Sequence, residues 1–247
     1  DGGKFNNLKK ARTHIIDMIN SGADIIDVGG ESTRPGSKTI SSNMEWKRIK
    51  NVVESFRKKH KNTCLSIDTR KSEIMIKSIE YGANLINDVS GFNYEKQSLS
   101  KLKKYKIVKV LHHMKGTPTT MQKGPKYKNV LLDIYDFFEK SINKFRDKKI
   151  ILDPGIGFGK NLKHNLTLIS KISLFHSLGL PILIGTSRKR FISQISGAND
   201  SRERIGGTVA SVLFLLSQGV QIFRVHNVNE VKQGILVFKK ILSNFRN

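Results

Sequence analysis

Cysteine is almost absent from this sequence: Cys64 is the only one among 247 residues. A single thiol excludes an intramolecular disulfide and any metal site that needs several cysteines. Cys64 lies in an apolar run, which favours a buried core residue in a reducing compartment. We therefore predict a cytoplasmic protein whose fold is held together by its hydrophobic core.

Long hydrophobic runs are also missing. No stretch contains the ~18 consecutive apolar residues that a membrane-spanning helix requires, and the opening residues lack an apolar segment of the secretory type. The longest apolar stretches, such as residues 180–184, have the length of a single strand. We expect no membrane partner.

Acidic residues are scarce, with 20 Asp and Glu against 44 Lys and Arg, for a formal net charge of +24. An excess of this size can mark a nucleic-acid-binding protein. The lysines are scattered over helix-like segments, however, rather than concentrated in one tail or one arginine-rich helix. We predict no nucleic-acid partner, and we expect the basic surface to attract an anionic small molecule.

Short apolar segments alternate along the chain with segments whose apolar residues recur at helical spacing. The predicted strands are residues 23–28, 63–67, 85–86, 107–111, 150–153, 181–185 and 221–225. The helical segments cover about 7–20, 43–59, 71–81, 96–104, 129–146 and 164–177. Helical residues follow the strand 181–185 up to about 218, and a last helix follows the strand 221–225 and runs to about 245. Strands that alternate with helices indicate βα units and a parallel sheet.

Every predicted strand ends in polar or charged residues. A (β/α)8 TIM barrel places its functional groups on the loops after all its strands, whereas a doubly wound sheet concentrates them at one switch point. The pattern therefore favours an α/β TIM barrel that spans residues 1–247 as one domain. Because the chain supplies seven strands and opens on a helix, we expect the first barrel strand to be missing from it, before Asp1.

The segment 151–161, Ile-Leu-Asp-Pro-Gly-Ile-Gly-Phe-Gly-Lys-Asn, joins an apolar strand to a glycine-rich turn. It is not a P-loop, because Pro154 stands where the first glycine belongs and Asn161 follows the lysine. It is not a dinucleotide fingerprint either, since Lys160 replaces the third glycine. Asp153, at the mouth of the strand, indicates a small-molecule site beside a backbone that can approach a ligand closely.

Charges of both signs stand at the other predicted strand ends. The side chains at or near these ends that could contact a ligand are Asp68, Asn87, Asp153, Arg34, Lys189, Arg224, His226 and Phe158. Together they suit a ligand with a flat polar edge and an anionic end, since a carboxylate can accept two hydrogen bonds from an N–C–N edge. Arg224 and His226 are two residues apart, so on a strand they would face the same side and, with Thr33, could hold phosphate.

Several of these strand ends carry a family resemblance. The segments that carry it are 25–36 (Ile-Ile-Asp-Val-Gly-Gly-Glu-Ser-Thr-Arg-Pro-Gly), 66–69 (Ser-Ile-Asp-Thr), 86–88, 113–116, 152–161, 187–189 and 224–226. In this order, over the whole chain, they resemble the signature of the dihydropteroate synthases. That family condenses p-aminobenzoate with the diphosphate ester of 6-hydroxymethyl-7,8-dihydropterin, and yields dihydropteroate and pyrophosphate on the route to folate.

The resemblance implies specific roles for the strand-end residues. The implied pterin-binding residues are Asp68, Asn87, Met114, Asp153 and Lys189, of which Asp68 and Lys189 are the catalytic pair. The implied p-aminobenzoate pocket consists of Arg34, Pro35, Phe158 and Ser187, and the implied diphosphate site of Thr33, Arg224 and His226. Fixed carboxylates beside a developing cation, and fixed donors beside a leaving pyrophosphate, amount to electrostatic catalysis.

The resemblance also implies a pterin-binding TIM-barrel domain over 1–247, Mg2+ as a cofactor, and a homodimer. In the family, the Asn that helps to bind Mg2+ lies in a loop before the Asp-Gly-Gly motif, so we expect no metal ligand within this chain. Asp27 and Asp88 are expected to be structural residues of the barrel interior. Lys160 and Arg188 are explained equally well as solvated charges.

Two alternatives remain open at this point. A pterin-binding domain of a corrinoid-type methyltransferase shares the barrel and the residues that bind the pterin edge. It does not need the loop 32–35 or diphosphate-binding cations, so the presence of both favours the synthase. The other alternative is a non-catalytic basic barrel that binds nucleic acid or a protein partner.

Overall fold

Parallel strands, each followed by a helix, build the chain in a computed structural model that describes residues 5, 7–34, 36–145 and 147–245. The strands are β1 Ile25–Gly29, β2 Cys64–Asp68, β3 Leu85–Asp88, β4 Val108–His112, β5 Ile150–Asp153, β6 Leu183–Ile184 and β7 Ile222–Phe223. All seven predicted strands are therefore present, and each lies within about two residues of its expected position.

Most of the helices also match their predicted positions. They are α1 Leu8–Asn20, α2 Ser42–Lys59, α3 Ser72–Glu80, α4 Ser98–Leu102, α5 Val130–Ile142, α6 Leu162–Ser170, α7 Arg190–Ser196, α8 Ile205–Ser217 and α9 Val228–Phe245, with 3-10 helices at Ile172–Leu178 and Ser201–Arg204. Helical residues continue to Ser217 as expected, but they are divided, because Gly197 ends α7 in the left-handed conformation. Within the described ranges, no helix is long and apolar enough to cross a membrane.

Strands β1 to β5 form one parallel sheet in sequence order, and β6 pairs in parallel with β7. A bridge between Leu152 and Ile182, with a Leu152 N–H donated to the Pro181 carbonyl at 2.8 Å, joins the two sheets. No backbone pairing joins β7 to β1 in the part of the chain that the structure describes. The side chains at the ends of these strands meet instead, since Arg224 contacts Asp27.

Apolar side chains fill the interior beneath the strand ends. Leu85, Val110, Ile151 and Leu183 form one buried cluster, and the half-buried Cys64 packs against it. Because alternate residues of a strand face the same side, Ile151 places Asp153 toward the interior, and Leu85 does the same for Asn87. The polar strand ends therefore lie above a dry apolar layer. Two larger clusters on the outside pack the helices against the sheet.

The loop after β5 runs close beneath the end of β4. Gly155 has φ of 69°, and a Cβ atom at this position would lie 2.0 Å from the His113 carbonyl oxygen. Only glycine fits such a close approach, and its N–H donates to Asp153 Oδ1 at 2.8 Å. The loop then enters α6 through a capping box, in which Asn161 and His164 exchange hydrogen bonds.

We expect Gly155→Ala to destabilise the fold much more than Gly179→Ala does. Gly179 has nearly the same φ, 68°, but no atom lies within 4 Å of its would-be Cβ. The control therefore measures only the left-handed strain, about 1–2 kcal/mol, whereas Gly155→Ala adds overlap with backbone and should exceed roughly 3 kcal/mol. Urea unfolding followed by circular dichroism gives both values, and equal losses would contradict the close approach.

Candidate active site

An ion triad joins Asp27 in the middle of β1, Asp68 at the end of β2 and Arg224. Arg224, just after β7, donates from Nε to Asp27 Oδ2 at 2.7 Å and from Nη2 to Asp68 Oδ2 at 2.7 Å. Gly29 is opposite Asp68, and Asp68 is opposite Asn87, in the sheet register. The parallel pairing thus brings Asp68 and Asn87 side by side at one edge, as the sequence predicts.

Asp68 and Asn87 each present a buried oxygen toward this mouth. Asp68 Oδ1 and Asn87 Oδ1 have no hydrogen-bond partner among the described residues. Burial raises the pKa of Asp68 to about 7, with Arg224 opposing the shift and the charge of Asp27 adding to it. Because buried polar atoms are nearly always paired, two unpaired acceptors side by side suit the N–H groups of a ligand.

Asp153 and Lys189 form the opposite side of the mouth. Asp153 is buried at the end of β5, and burial raises its pKa although the Lys189 charge opposes the shift. Lys189 precedes α7, and its Nζ donates to the Ile156 carbonyl and lies 4.5 Å from the centroid of the Phe158 ring. Burial lowers the pKa of Lys189 to about 8, against the effect of Asp153. The side chains of Asp153, Lys189 and Phe158 therefore lie together, as predicted.

Lys160 is not a solvated charge. It is 3% exposed, and its Nζ lies 3.0 Å from His113 Nδ1 and donates to the Phe158 carbonyl at 3.0 Å. Burial lowers its pKa well below the usual range. The Phe158 ring packs edge-on against His112, with the centroids 4.6 Å apart. Lys160, His112 at the end of β4 and His113 just after it therefore support the loop after β5.

Ser187 and His226 contact each other on the far side of the mouth. Ser187 Oγ accepts from the His226 N–H at 3.1 Å and lies 2.9 Å from its Nδ1. Burial, and then the Arg188 charge, lower the pKa of His226 to about 4, so the ring is neutral near pH 7. Arg188 is not a solvated charge either, because its Nε and Nη2 donate to Asn227 Oδ1 at 3.0 and 2.8 Å.

The loop after β1 carries the remaining predicted residues. Arg34 is exposed and Thr33 is half-buried, while Pro35 lies outside the described residues. Gly36 donates its N–H to the Pro118 carbonyl at 3.0 Å, which joins this loop to the one after β4. The half-buried Met114 belongs to that second loop. The Arg34 charge is among those that lower the pKa of the His226 ring, after burial and the Arg188 charge.

The chain is similar over most of its length to proteins of one known family. Residues 1–226 match the family model of pterin binding enzymes. Over 248 aligned residues the chain is 40% identical to the dihydropteroate synthase of Escherichia coli (strain K12), covering 98% of this chain and 87% of that protein. The chain belongs to the dihydropteroate synthase family.

Solved structures of dihydropteroate synthases share the whole fold. A Yersinia pestis dihydropteroate synthase with a sulfonamide drug complex is 38% identical, with a TM-score of 0.94 over 98% of this chain and 89% of that one. A Xanthomonas albilineans dihydropteroate synthase with 4-aminobenzoic acid is 32% identical, with a TM-score of 0.89 over 98% of this chain and 88% of that one. The predictions of the TIM-barrel fold and of the family are therefore confirmed.

This member of the dihydropteroate synthase family also has a buried ion network that the sequence did not lead us to expect. The Glu31 carboxylate accepts from the Ile40 N–H at 2.9 Å, from Arg70 Nε at 2.8 Å and from Lys71 Nζ at 3.0 Å. Lys71 also donates to the fully buried Glu45 at 2.6 Å. Glu31 and Ile40 stand at the two ends of the loop that carries Arg34, so the network fixes where that loop begins and ends.

Opposite charges just after two neighbouring strands are the sequence feature that indicates this network. Glu31 follows β1, whereas Arg70 and Lys71 follow the neighbouring strand β2. Because the ends of adjacent parallel strands lie side by side, opposite charges just after them are expected to meet. Hydrogen bonds from Arg70 and Lys71 hold the pKa of Glu31 below its usual value, although burial opposes them.

We expect Lys71→Met to destabilise the protein far more than Lys77→Met. The first change leaves Glu45 buried without its cation, which typically costs about 3–5 kcal/mol. Lys77 pairs with Glu73 on the exposed face of α3, where such pairs contribute less than about 1 kcal/mol. Urea unfolding of both variants measures the difference, and similar losses would show that the buried network does not hold the loop.

Proposed function

We propose that this chain catalyses the dihydropteroate synthase reaction. It condenses p-aminobenzoate with 6-hydroxymethyl-7,8-dihydropterin diphosphate, and releases 7,8-dihydropteroate and pyrophosphate in folate biosynthesis. The observation that carries the proposal is the pair of buried, unpartnered acceptors, Asp68 Oδ1 and Asn87 Oδ1, in the same mouth as the cation Arg224. The relatives with sulfonamide and with 4-aminobenzoic acid support it.

The pterin ring would lie over the apolar layer. Asp153 and Asn87 would accept hydrogen bonds from its amino edge, and Lys189 would donate to its ring acceptors. Met114, half-buried on the loop after β4, would pack on the face of the ring. This arrangement suits a flat heterocycle with donors and acceptors on one edge, because a fixed set of complementary groups rejects rings that lack them.

The chemical step breaks the bond between the pterin methylene carbon and the diphosphate oxygen, which leaves with the electron pair. As this bond breaks, positive charge develops on the methylene carbon and the ring. The amine of p-aminobenzoate forms a C–N bond with that carbon, and the proton of the resulting ammonium passes to water. The Asp68 carboxylate, buried at the end of β2, would stabilise this charge. The active form of Asp68 is therefore the ionised one.

The leaving diphosphate would be held by Arg224, His226 and Thr33. The bonds of Arg224 to the two carboxylates use Nε and Nη2, so the N–H groups of Nη1 remain for the phosphate oxygens. The net charge of +24 would draw the anionic substrate toward the protein at a rate that falls with added salt. The net charge would act while the substrate approaches, and Arg224 would act while the diphosphate departs.

The p-aminobenzoate pocket would lie between the loop after β1 and the loop after β5. Phe158 forms one wall, the buried Ser187 lies deeper in the pocket, and Arg34 supplies a cation for the carboxylate of the substrate. Pro35 belongs to the same proposed wall, although it lies outside the described residues. The amine would then point inward, toward the pterin methylene carbon.

Mg2+ is the cofactor that the family resemblance implies. No group of three His, Cys, Asp or Glu side chains within those ranges lies close enough together to hold a metal ion. Asp27 and Asp68 are both occupied by Arg224. Mg2+ commonly binds through substrate phosphates and few protein groups, and we assign no step of the reaction to it.

The cytoplasmic localisation also stays a prediction.

A homodimer is the assembly that the surface supports. Large apolar side chains on α9 are 56–87% exposed: Leu236, Val237, Ile241 and Phe245. Phe214 on α8 and Leu166 on α6 line an apolar groove on the helical surface nearby. Exposed apolar faces of this extent are typical of protein interfaces, and a second copy would cover the same face on both chains.

We expect the protein to form dihydropteroate and pyrophosphate when it is given both substrates and Mg2+. Asp153→Asn and Lys189→Ala should each lower kcat/KM for the pterin diphosphate by about a hundredfold, since a hydrogen bond to a charged buried group is lost. Asp136→Asn, on the exposed face of α5, is the matched control and should leave the rate unchanged. Coupled detection of pyrophosphate gives the rates.

Three outcomes would contradict the proposal or part of it. Absence of pyrophosphate release from both substrates, together with methyl transfer from a methylated reduced folate to a corrinoid, would favour the methyltransferase alternative. Binding of RNA at physiological salt without turnover would favour the basic barrel. Full activity of Asp153→Asn would remove Asp153 from the pterin site.

The dimer is tested by a charge on the apolar face of α9. Ile241→Glu should convert the dimer to a monomer, because the interface would have to bury an unpaired carboxylate. Lys239→Glu lies on a different side of the same helix and should leave the dimer intact. Sedimentation velocity at micromolar concentration distinguishes the two states, and a monomeric wild-type protein would contradict the proposed assembly.

A further inference from the structure

We infer that Asp27 is a positioning residue, whose carboxylate orients both the Asn87 amide and the Arg224 guanidinium toward the two parts of the pterin diphosphate. This inference rests on the proposed function. The sequence indicated only a structural residue of the barrel interior, because Asp27 lies within an apolar strand. The contacts of its carboxylate give it a more specific role.

The Asp27 carboxylate, in the middle of β1, receives donors from three other segments. Its Oδ1 accepts from the Ser66 hydroxyl at 2.6 Å, and its Oδ2 accepts from Arg224 Nε at 2.7 Å and from Asn87 Nδ2 at 3.3 Å. These donors belong to β2, to the segment after β7 and to β3. One carboxylate on β1 thus connects residues that belong to different parts of the proposed site.

The contact with Asp27 decides which atom Asn87 presents to a ligand. An amide group carries donors on its nitrogen and an acceptor on its oxygen. Because Asp27 Oδ2 serves as an acceptor, Asn87 must turn Nδ2 toward it, and Oδ1 is left as a buried atom without a partner in the described residues. An acceptor in this place matches an N–H of the pterin edge, whereas a flipped amide would present donors instead.

The contact with Asp27 also holds the plane of the Arg224 guanidinium. Asp27 binds at Nε and Asp68 binds at Nη2, so the group is fixed at two of its three nitrogens. The Arg224 side chain is nevertheless 45% exposed. A cation that is already oriented loses less conformational freedom when it binds an anion, which favours the diphosphate.

A neighbouring carboxylate lacks these contacts and provides the control. Asp88, at the end of β3, is fully buried and accepts from the backbone N–H groups of Ser90 at 2.7 Å and Phe92 at 3.1 Å. It stabilises a turn, and within the described residues its carboxylate forms no hydrogen bond with a side chain proposed to bind substrate. Asp27 and Asp88 are therefore two carboxylates of the same sheet, one facing the site and one facing a turn.

We expect Asp27→Asn to weaken the binding of both 6-hydroxymethylpterin and inorganic pyrophosphate by about tenfold or more, as measured by calorimetry. Asp88→Asn should lower the melting temperature but keep both affinities. If Asp27→Asn does not fold, Ser66→Ala serves in its place, since it removes one bond to the carboxylate and should weaken both ligands a few-fold. Unchanged affinities in the folded variant would overturn the inference.

Double-mutant cycles test whether Asp27 acts through its two partners. In an Asn87→Ala background, Asp27→Asn should change pterin affinity by less than about twofold, and in an Arg224→Ala background the same should hold for pyrophosphate affinity. Additive losses would overturn the positioning role, because Asp27 would then act independently of both residues. A wild-type protein that binds neither ligand would overturn the proposed function as well, whereas wild-type binding with an unaffected Asp27→Asn would overturn the Asp27 role alone.

Discussion

The Arg224 guanidinium lies between two carboxylates, 2.7 Å from an oxygen of Asp27 and 2.7 Å from an oxygen of Asp68. Both acids stand above an apolar interior layer, where their charges would repel each other strongly without a cation between them. The triad also joins the segment after β7 to β1 and β2, where the described residues show no β7–β1 backbone pairing. Side-chain charge compensation thus sets the relative positions of Asp27, Asp68 and Arg224, and the rest of the site is built beside this triad.

The loops around the triad are held by the same physical means. Lys71 is buried between Glu31 and Glu45 below the loop after β1, and Lys160 is buried against His113 below the loop after β5. Buried charges remain favourable only when their partners are fixed, so each lysine restrains the backbone that surrounds it. The loops that would contact the substrates are therefore supported from beneath by polar contacts, while the acceptors of Asp68 and Asn87 stay available to a ligand.

Prediction from sequence succeeded where position along the chain determines position in space. Asp68 and Asp153 end their strands and Asn87 is the last residue but one of β3, and parallel pairing brings the ends of such strands to one edge. It failed where a side chain's environment comes from distant segments. Lys160 resembles a solvated charge in a glycine-rich loop, but His113, which follows β4, approaches it and helps to bury it. The helical residues expected up to about 218 are present, and Gly197 divides them into α7 and the helices that follow.

The sequence by itself determined the alternation of strands and helices, the polar strand ends and the family, because periodicity and short motifs are local properties. Only the tertiary structure decided which partners the charges take. Asp27 lies in an apolar strand and its hydrogen bonds come from Ser66, Asn87 and Arg224, residues that are 39, 60 and 197 positions away along the chain. Contacts of such separation depend on the closing of the whole fold, and no local pattern records them.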